Sequence, residues 1–172
     1  MLFLICGNQE KECVFMFRTI NLKKLLLSLG LAIGGGFLAG AIAGTGTETY
    51  SQLVKPPLSP PGVVFGIVWT ILYFCMGLAS YLIWDGPESP ERRRGLMLYV
   101  IGLLVNFCWP LFFFRMHLYC FSAVWLGILI ILVALCTLIF YRQNTTAGKL
   151  MLPYLLWCLF ALYLNIGVCV LN

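Results

Sequence analysis

Residues 54–69 read Val-Lys-Pro-Pro-Leu-Ser-Pro-Pro-Gly-Val-Val-Phe-Gly-Ile-Val-Trp, and this stretch decides how the chain enters its second long apolar segment. Four of the eight prolines lie between Pro56 and Pro61. Proline fixes φ, lacks an amide hydrogen and disfavours helix in the residue before it, so residues 55–60 should form a stiff, extended connector. Pro61 suits the first position of a helix, where no amide hydrogen is needed. The apolar run that follows carries Trp69 about two turns into that helix.

The composition indicates an integral membrane protein. Of the 172 residues, 62% are hydrophobic and 10% are charged. Soluble domains are about 45–50% apolar and about 25% charged, so this chain has too little polar surface for water. Five apolar runs are long enough for a ~30 Å hydrocarbon layer. We expect an all-α, five-helix transmembrane bundle with spans at about residues 22–44, 61–84, 95–114, 118–141 and 150–171, preceded by an N-terminal extension over residues 1–21.

The N-terminal extension lacks the order of basic, apolar and small residues that marks a secretory signal. One hypothesis is that the natural start is Met16, which is followed by Arg18, Lys23 and Lys24 before or at the start of the first span.

The eight cysteines are expected to be small buried apolar residues and not a disulfide framework. No Cys-x-x-Cys pair occurs, and Cys75, Cys108, Cys136, Cys158 and Cys169 lie inside apolar runs. The only histidine, His117, is expected at the edge of a span. Because a metal site needs clustered ligands, no metal and no required cofactor are predicted.

The placement of basic residues predicts the orientation. Nine lysines and arginines lie on the side of the N-terminus, the second loop and the fourth loop, and two, Lys55 and Arg115, lie on the opposite side. By the positive-inside rule the N-terminus should be cytoplasmic, and the proline-rich connector and the C-terminus should face outward. The net charge of +5 is thereby explained by topology, and no nucleic-acid partner is expected.

No predicted span has a charged residue in its middle. Ion pumps and proton-coupled carriers usually contain such residues inside their spans, so an ion-coupled carrier is disfavoured. The sequence also contains no paired carboxylates, serine–histidine pairing or phosphate loop that would indicate a catalytic site.

The spans are instead rich in aromatic residues, which make up 15% of the chain. Trp69, Trp109 and Trp157 lie well inside predicted spans, and Asn106 and Asn165 are the nearby polar residues. A large flat apolar ligand would need rings to stack on and a few hydrogen-bonding groups in a dry cavity. Core packing of the tryptophans and interhelical hydrogen bonds of the asparagines are the alternatives that the spacing leaves open.

Small residues recur along the first span. Gly36, Gly40 and Gly44 are four residues apart, so they share one helical face that another helix can approach closely. The pattern fits packing inside one chain or the interface of a homodimer.

Four ordered groups of residues resemble motifs of a known family. They are Tyr50-x-x-Leu53-x-Lys55-Pro56-Pro57 with Ser59-Pro60-Pro61, Phe65-Gly66-x-Val68-Trp69-x-x-Leu72-Tyr73, Asn106-x-x-Trp109-Pro110-x-x-Phe113-Phe114, and Pro153-Tyr154-x-x-Trp157-x-x-Phe160-Ala161-x-x-Leu164-Asn165. Each is weak alone, but in this order they are specific. Over about Gly35 to Asn172 the chain resembles the TspO/MBR family, the tryptophan-rich sensory proteins and translocator (peripheral-type benzodiazepine receptor) proteins.

The resemblance implies a five-helix bundle, commonly dimeric, that binds porphyrins, haem-like tetrapyrroles and other hydrophobic ligands beneath the first loop. The candidate ligand-binding residues are Tyr50, Trp69, Asn106, Trp109, Trp157, Ala161 and Asn165. The prolines Pro56, Pro57, Pro60 and Pro61 would form a lid with Tyr50 on its underside. The implied partners are a porphyrin-type ligand, the lipid bilayer and a second copy of the chain.

Three positions depart from the family pattern. Leu58 stands where a tryptophan is frequent, and Cys169 stands where an aromatic residue is frequent. No basic residue follows Tyr163, so the cholesterol-recognition pattern of animal members is missing. The missing pattern argues against cholesterol binding and fits a bacterial member in the cell membrane.

The leading hypothesis is therefore a tetrapyrrole-binding membrane receptor or sensor, with transport of the ligand as an extension. One alternative is an enzyme that breaks down bound porphyrin by photo-oxidation, with Trp69 and Trp157 as the reacting side chains. The other is an adaptor protein that recruits partners through the glycine-rich first span.

The predicted orientation can be tested with reporters fused after Asn172. A periplasmic alkaline phosphatase fusion should be active and a green fluorescent protein fusion dark, because the basic loops hold the other side in the cytoplasm. Activity confined to the cytoplasmic reporter would contradict the orientation.

Overall fold

The computed structural model describes residues 20–44 and 47–172 and contains five helices that are long and apolar enough to cross a membrane. They are Leu22–Ala43, Gly62–Trp84, Pro90–Arg115, Tyr119–Gln143 and Thr145–Leu171, numbered below as spans one to five. The predicted all-α bundle of five spans is thus confirmed. Most of the N-terminal extension, including Met16, lies outside the described residues.

Two spans begin earlier than the sequence predicted. Span three starts at Pro90 and span five at Thr145, so the charged residues expected in turns form first helical turns. The reason is capping: the Ser89 hydroxyl accepts from the Arg92 amide at 3.0 Å, and the Asn144 side chain accepts from the Ala147 amide at 3.0 Å. Such caps satisfy amides that have no partner inside the helix.

The first loop contains a short helix, Thr47–Gln52, that the sequence analysis did not predict. The following residues 53–61, referred to as the lid, are non-helical as expected, but they are not extended throughout. The chain turns at Pro57 and Leu58, where Leu58 has a φ of 67°. Proline followed by a residue with positive φ is the pattern of a type II turn, which explains the bend.

The spans form a bundle in which span five packs between spans two and four, and span four also packs against span three. Span one leans across this arrangement: its first half packs on span two, and its second half packs on span three. At the end of the bundle away from the lid, the Lys24 ammonium lies 3.3 Å from an Asp85 carboxylate oxygen and joins span one to the end of span two. The lid end of span two is therefore left apart from span one.

The solid core fills the half of the bundle away from the lid. Met76, Leu129, Phe140 and Met151 are each no more than 1% exposed there. Many large apolar side chains point outward instead, among them Phe37, Ile131, Leu138 and Leu156. An apolar exterior is what a chain surrounded by lipid requires.

The structure overturns the prediction that the cysteines are all unpaired. Cys120 in the first turn of span four and Cys169 in the last turn of span five form a disulfide. These spans are antiparallel neighbours, so the beginning of one meets the end of the other. Within the described residues Cys75, Cys108, Cys136 and Cys158 are free, as predicted.

The tight turn between spans four and five gives a stability prediction. A Cβ added at Gly148 would lie 2.5 Å from the Tyr141 Cα, which is backbone and cannot move aside. We expect Gly148→Ala to lower the free energy of unfolding by about 1–3 kcal/mol. Gly127→Ala is the control, because a Cβ at Gly127 meets nothing within 4 Å. Thermal unfolding in detergent measures both, and equal melting temperatures would contradict the prediction.

Candidate functional site

A cavity of about 570 Å³ occupies the half of the bundle beneath the lid. Its wall is built from the lid-side halves of four spans, with Tyr50 and Ser59 added from the first loop. The span residues that line it are Gly36, Phe37, Gly40, Ala41, Gly44, Gly62, Phe65, Gly66, Trp69, Thr70, Tyr73, Asn106, Trp109, Pro110, Phe113, Phe114, Ala161, Leu164, Asn165 and Val168. None of these described residues is charged, and seven of them carry an aromatic ring.

Span two supplies one side of the cavity through a single helical face. Phe65, Trp69 and Tyr73 are four residues apart, which places them on one side of the helix. The Trp69 ring stacks on the Tyr73 ring at 5.4 Å and meets the Tyr154 ring edge-on at 6.1 Å. Trp69 therefore lies in the cavity, as the sequence predicted, with its plane held by two tyrosines.

Asn106 closes the bottom of the cavity by joining three spans. Its Oδ1 accepts from the Tyr73 hydroxyl at 2.7 Å, and its Nδ2 donates to the Tyr154 hydroxyl at 3.1 Å. Asn106 is 3% exposed. The interhelical hydrogen bond considered as the alternative role is thus present, and the same side chain also lines the cavity.

Asn165 performs the matching role nearer the lid. Its Oδ1 accepts from the Trp109 indole nitrogen at 2.9 Å and from the Ser122 hydroxyl at 3.1 Å, and its Nδ2 donates to the Tyr119 carbonyl at 2.8 Å. The Trp109 ring also stacks on Phe113 at 5.1 Å. Asn165 consequently sets the direction in which Trp109 faces the cavity.

The two predicted residues of span five have different positions. Ala161 lines the cavity, where its small side chain leaves space. Trp157 does not line it and lies behind Phe65, with ring centroids 5.8 Å apart. Its indole nitrogen is buried without a hydrogen-bond partner among the described residues. Phe65, and not Trp157, presents the ring on this side of the cavity.

The first loop meets the cavity through Tyr50 of its short helix and Ser59 of the lid, while none of the four lid prolines lines it. The Tyr50 hydroxyl donates to the Pro60 carbonyl at 3.2 Å, and the Lys55 ammonium lies 4.7 Å from the centroid of the Tyr50 ring. Burial raises the pKa of the Tyr50 phenol, so it remains protonated and able to donate at neutral pH.

The glycines of span one, Gly36, Gly40 and Gly44, face the interior of the bundle. A Cβ at Gly36 would lie 2.2 Å from the Tyr73 ring, so the ring packs directly on the span-one backbone. Gly40 and Gly44 line the cavity. Packing inside one chain therefore accounts for Gly36, and a homodimer that uses the glycines of span one remains a prediction.

The cavity is open on the side between spans one and two. Phe37 on span one is 64% exposed although it lines the cavity. Gly66 and Thr70 on span two are also exposed lining residues. This opening follows from the lean of span one, whose second half packs mainly on span three.

Comparison with known proteins shows the family of this chain. Residues 27–171 match the sequence model of the TspO/MBR family. The chain belongs to this family. The tryptophan-rich protein TspO of Chlorobaculum tepidum is 36% identical over 157 residues, which cover 88% of this chain and 99% of that protein. The TspO of Archaeoglobus fulgidus is 33% identical over 155 residues, and the human translocator protein is 35% identical over 140 residues, covering 80% of each chain.

Several residues that line the cavity of this TspO/MBR protein were not predicted as site residues. They include Phe65, Thr70, Tyr73, Phe113 and Phe114. Helical periodicity was the signal for Phe65, Tyr73 and Phe113, because each lies four positions from Trp69 or Trp109 and shares a face with that tryptophan. The motifs contained all of these residues except Thr70, but core packing explained each equally well.

The network around Asn165 predicts a measurable loss when it is broken. Asn165→Leu would leave the Trp109 indole without its acceptor and remove the bond to the Tyr119 carbonyl, so we expect a loss of about 1–3 kcal/mol of stability. Near-ultraviolet circular dichroism during thermal unfolding reports both stability and the ordering of Trp109. Thr70→Val is the control, because the Thr70 hydroxyl donates to Gly66 of its own helix at 2.8 Å. An Asn165→Leu protein as stable as Thr70→Val would contradict this role.

Proposed function

We propose that this TspO/MBR protein is a membrane receptor or sensor that binds tetrapyrroles, such as porphyrin or haem, and other flat hydrophobic molecules in the cavity beneath the lid. The observation that supports it most is the uncharged aromatic lining around Trp69, Trp109 and Phe65. The volume of about 570 Å³ lies within the usual range of small-molecule sites. Stacking on such rings favours a planar ligand.

The hydrogen bonds around the cavity support recognition by shape. Asn106 and Asn165 are both engaged with protein partners, and the hydroxyls of Tyr50, Ser59 and Thr70 all donate to backbone carbonyls. An apolar ligand can therefore enter without leaving these groups unpaired, which would otherwise be costly. A cavity of this kind accepts a range of flat hydrophobic molecules and requires no cofactor.

We further propose that the protein lies in a bacterial cell membrane with its N-terminus in the cytoplasm and the lid outside. The excess of basic residues on the opposite side supports this orientation. The Cys120–Cys169 disulfide supports it independently, because it lies at the lid end and disulfides persist in oxidising compartments. Transport of the ligand and a homodimeric assembly are extensions of the same proposal.

Filling the cavity tests the proposal. Gly66 lines the cavity and an added Cβ there meets nothing within 4 Å, so the Gly66→Leu side chain starts in open space and takes up room that a ligand would use. The purified protein should bind protoporphyrin IX with micromolar or tighter affinity, and Gly66→Leu should weaken binding at least about tenfold. A shift of the porphyrin absorbance band in a titration measures both.

Gly127→Leu is the matched control. Gly127 is also a helical glycine with nothing within 4 Å of an added Cβ, but it lies on span four, away from the cavity. Its affinity should equal that of the unmodified protein. Equal affinities of Gly66→Leu and Gly127→Leu, or no binding of protoporphyrin IX by the unmodified protein, would refute the proposed function.

A further inference from the structure

The lid is attached to the end of span five as well as to its neighbours in sequence. Residues 163–172, referred to as the anchor, contact the lid at three places. A proline-rich segment has few amide hydrogens with which to hold itself in place. The side chains and backbone of the anchor therefore provide most of the points that fix it.

Asn172 forms the most specific of these attachments. Its Oδ1 accepts from the Val54 amide at 3.0 Å, and its Nδ2 donates to the Val54 carbonyl at 2.9 Å. The same Nδ2 donates to the Val168 carbonyl at 3.0 Å, which ties the side chain to span five. One carboxamide thus satisfies both backbone groups of Val54, as a neighbouring β-strand would.

Two further contacts hold the proline pair of the lid. The Tyr163 hydroxyl donates to the Pro57 carbonyl at 3.0 Å. A Cβ added at Gly167 would lie 2.4 Å from the Pro56 ring, so Pro56 rests directly on the backbone of span five. Pro56 is buried although its neighbours in the lid are exposed.

The disulfide joins this anchor to span four. Cys169 stands between Val168, which lines the cavity, and Asn172, which holds the lid, and it is bonded to Cys120 of span four. The last turn of a helix frays readily because its carbonyls lack partners. A covalent bond to a neighbouring helix opposes that fraying, and Cys120 is exposed, so a reductant can reach the bond.

We propose that the anchor holds the lid closed over the cavity and that the Cys120–Cys169 disulfide sets how firmly it does so, which makes ligand exchange sensitive to reduction. Two electrons and two protons convert the disulfide to two thiols; a dithiol supplies both and becomes a cyclic disulfide. Loss of the bond lets the last turn of span five fray and releases Asn172 from Val54. The part of this proposal that concerns ligand exchange rests on the proposed function.

Hydrogen exchange of the lid tests the anchor without any ligand. Mass spectrometry of peptides covering residues 50–60 should show exchange roughly three- to tenfold faster in Asn172→Ala, the size expected for losing one or two hydrogen bonds. Cys120→Ser should have the same effect, whereas Cys75→Ser should have none, because Cys75 is a free cysteine of span two. Unchanged lid exchange in Asn172→Ala or Cys120→Ser would overturn the proposal.

Reducing the folded, unmodified protein tests the role of the disulfide without a substitution that affects folding. Dithiothreitol should accelerate lid exchange in the unmodified protein and leave Cys120→Ser unchanged, since that variant has no disulfide to reduce. An equal response of both proteins to the reductant would overturn the role of the disulfide.

The ligand step is measured by the release of bound protoporphyrin IX to an excess of serum albumin. Release should be roughly three- to tenfold faster in Asn172→Ala and after reduction. Faster lid exchange with unchanged release would show that the ligand leaves between spans one and two, and would overturn gating by the lid. Absence of porphyrin binding would refute the proposed function. The hydrogen-exchange measurements on the lid would still show whether the anchor holds it in place.

Discussion

Two buried asparagines organise this protein, because a polar group inside the hydrocarbon layer must find its partners within the bundle. Asn106 joins spans two, three and five through the hydroxyls of Tyr73 and Tyr154. Asn165 joins spans three, four and five through Trp109, Ser122 and the Tyr119 carbonyl. These bonds fix the spans around the cavity at two depths, so the space between them does not collapse into an apolar core.

Irregular helix geometry completes the cavity. Pro110 interrupts the hydrogen bonding of span three, and the chain continues as a π-helix over Leu111–Arg115. Such segments redirect the side chains that follow a proline. Span one also contains a π-helical segment, Gly30–Gly34, between the half that packs on span two and the half that packs on span three. Together these irregularities turn aromatic rings of span three inward and leave the side between spans one and two open.

The disulfide shows what a span-by-span interpretation of the sequence misses. Cys120 lies 24 residues before Asn144 and Cys169 lies 25 residues after it, so two antiparallel helices that turn at Asn144 bring the cysteines level. The sequence analysis classified each cysteine by the apolar residues around it, and so missed that these two lie at matching distances from the turn. The error in the starts of spans three and five had a similar origin, because charged residues were assigned to turns although Ser89 and Asn144 could cap helices that project beyond the hydrocarbon.

The amino-acid sequence alone was enough for the all-α membrane fold, the number of spans and the family. It also marked Trp69, Asn106, Trp109, Ala161 and Asn165 as candidates, which the structure places beside one cavity. These follow from hydrophobic length and from motifs that recur in order. Three features needed the folded structure: Trp157 lies behind Phe65, the glycines of span one face the cavity, and the lid is anchored on span five. Helical periodicity places a residue on a face, but the lean and spacing of the neighbouring helices decide what that face meets.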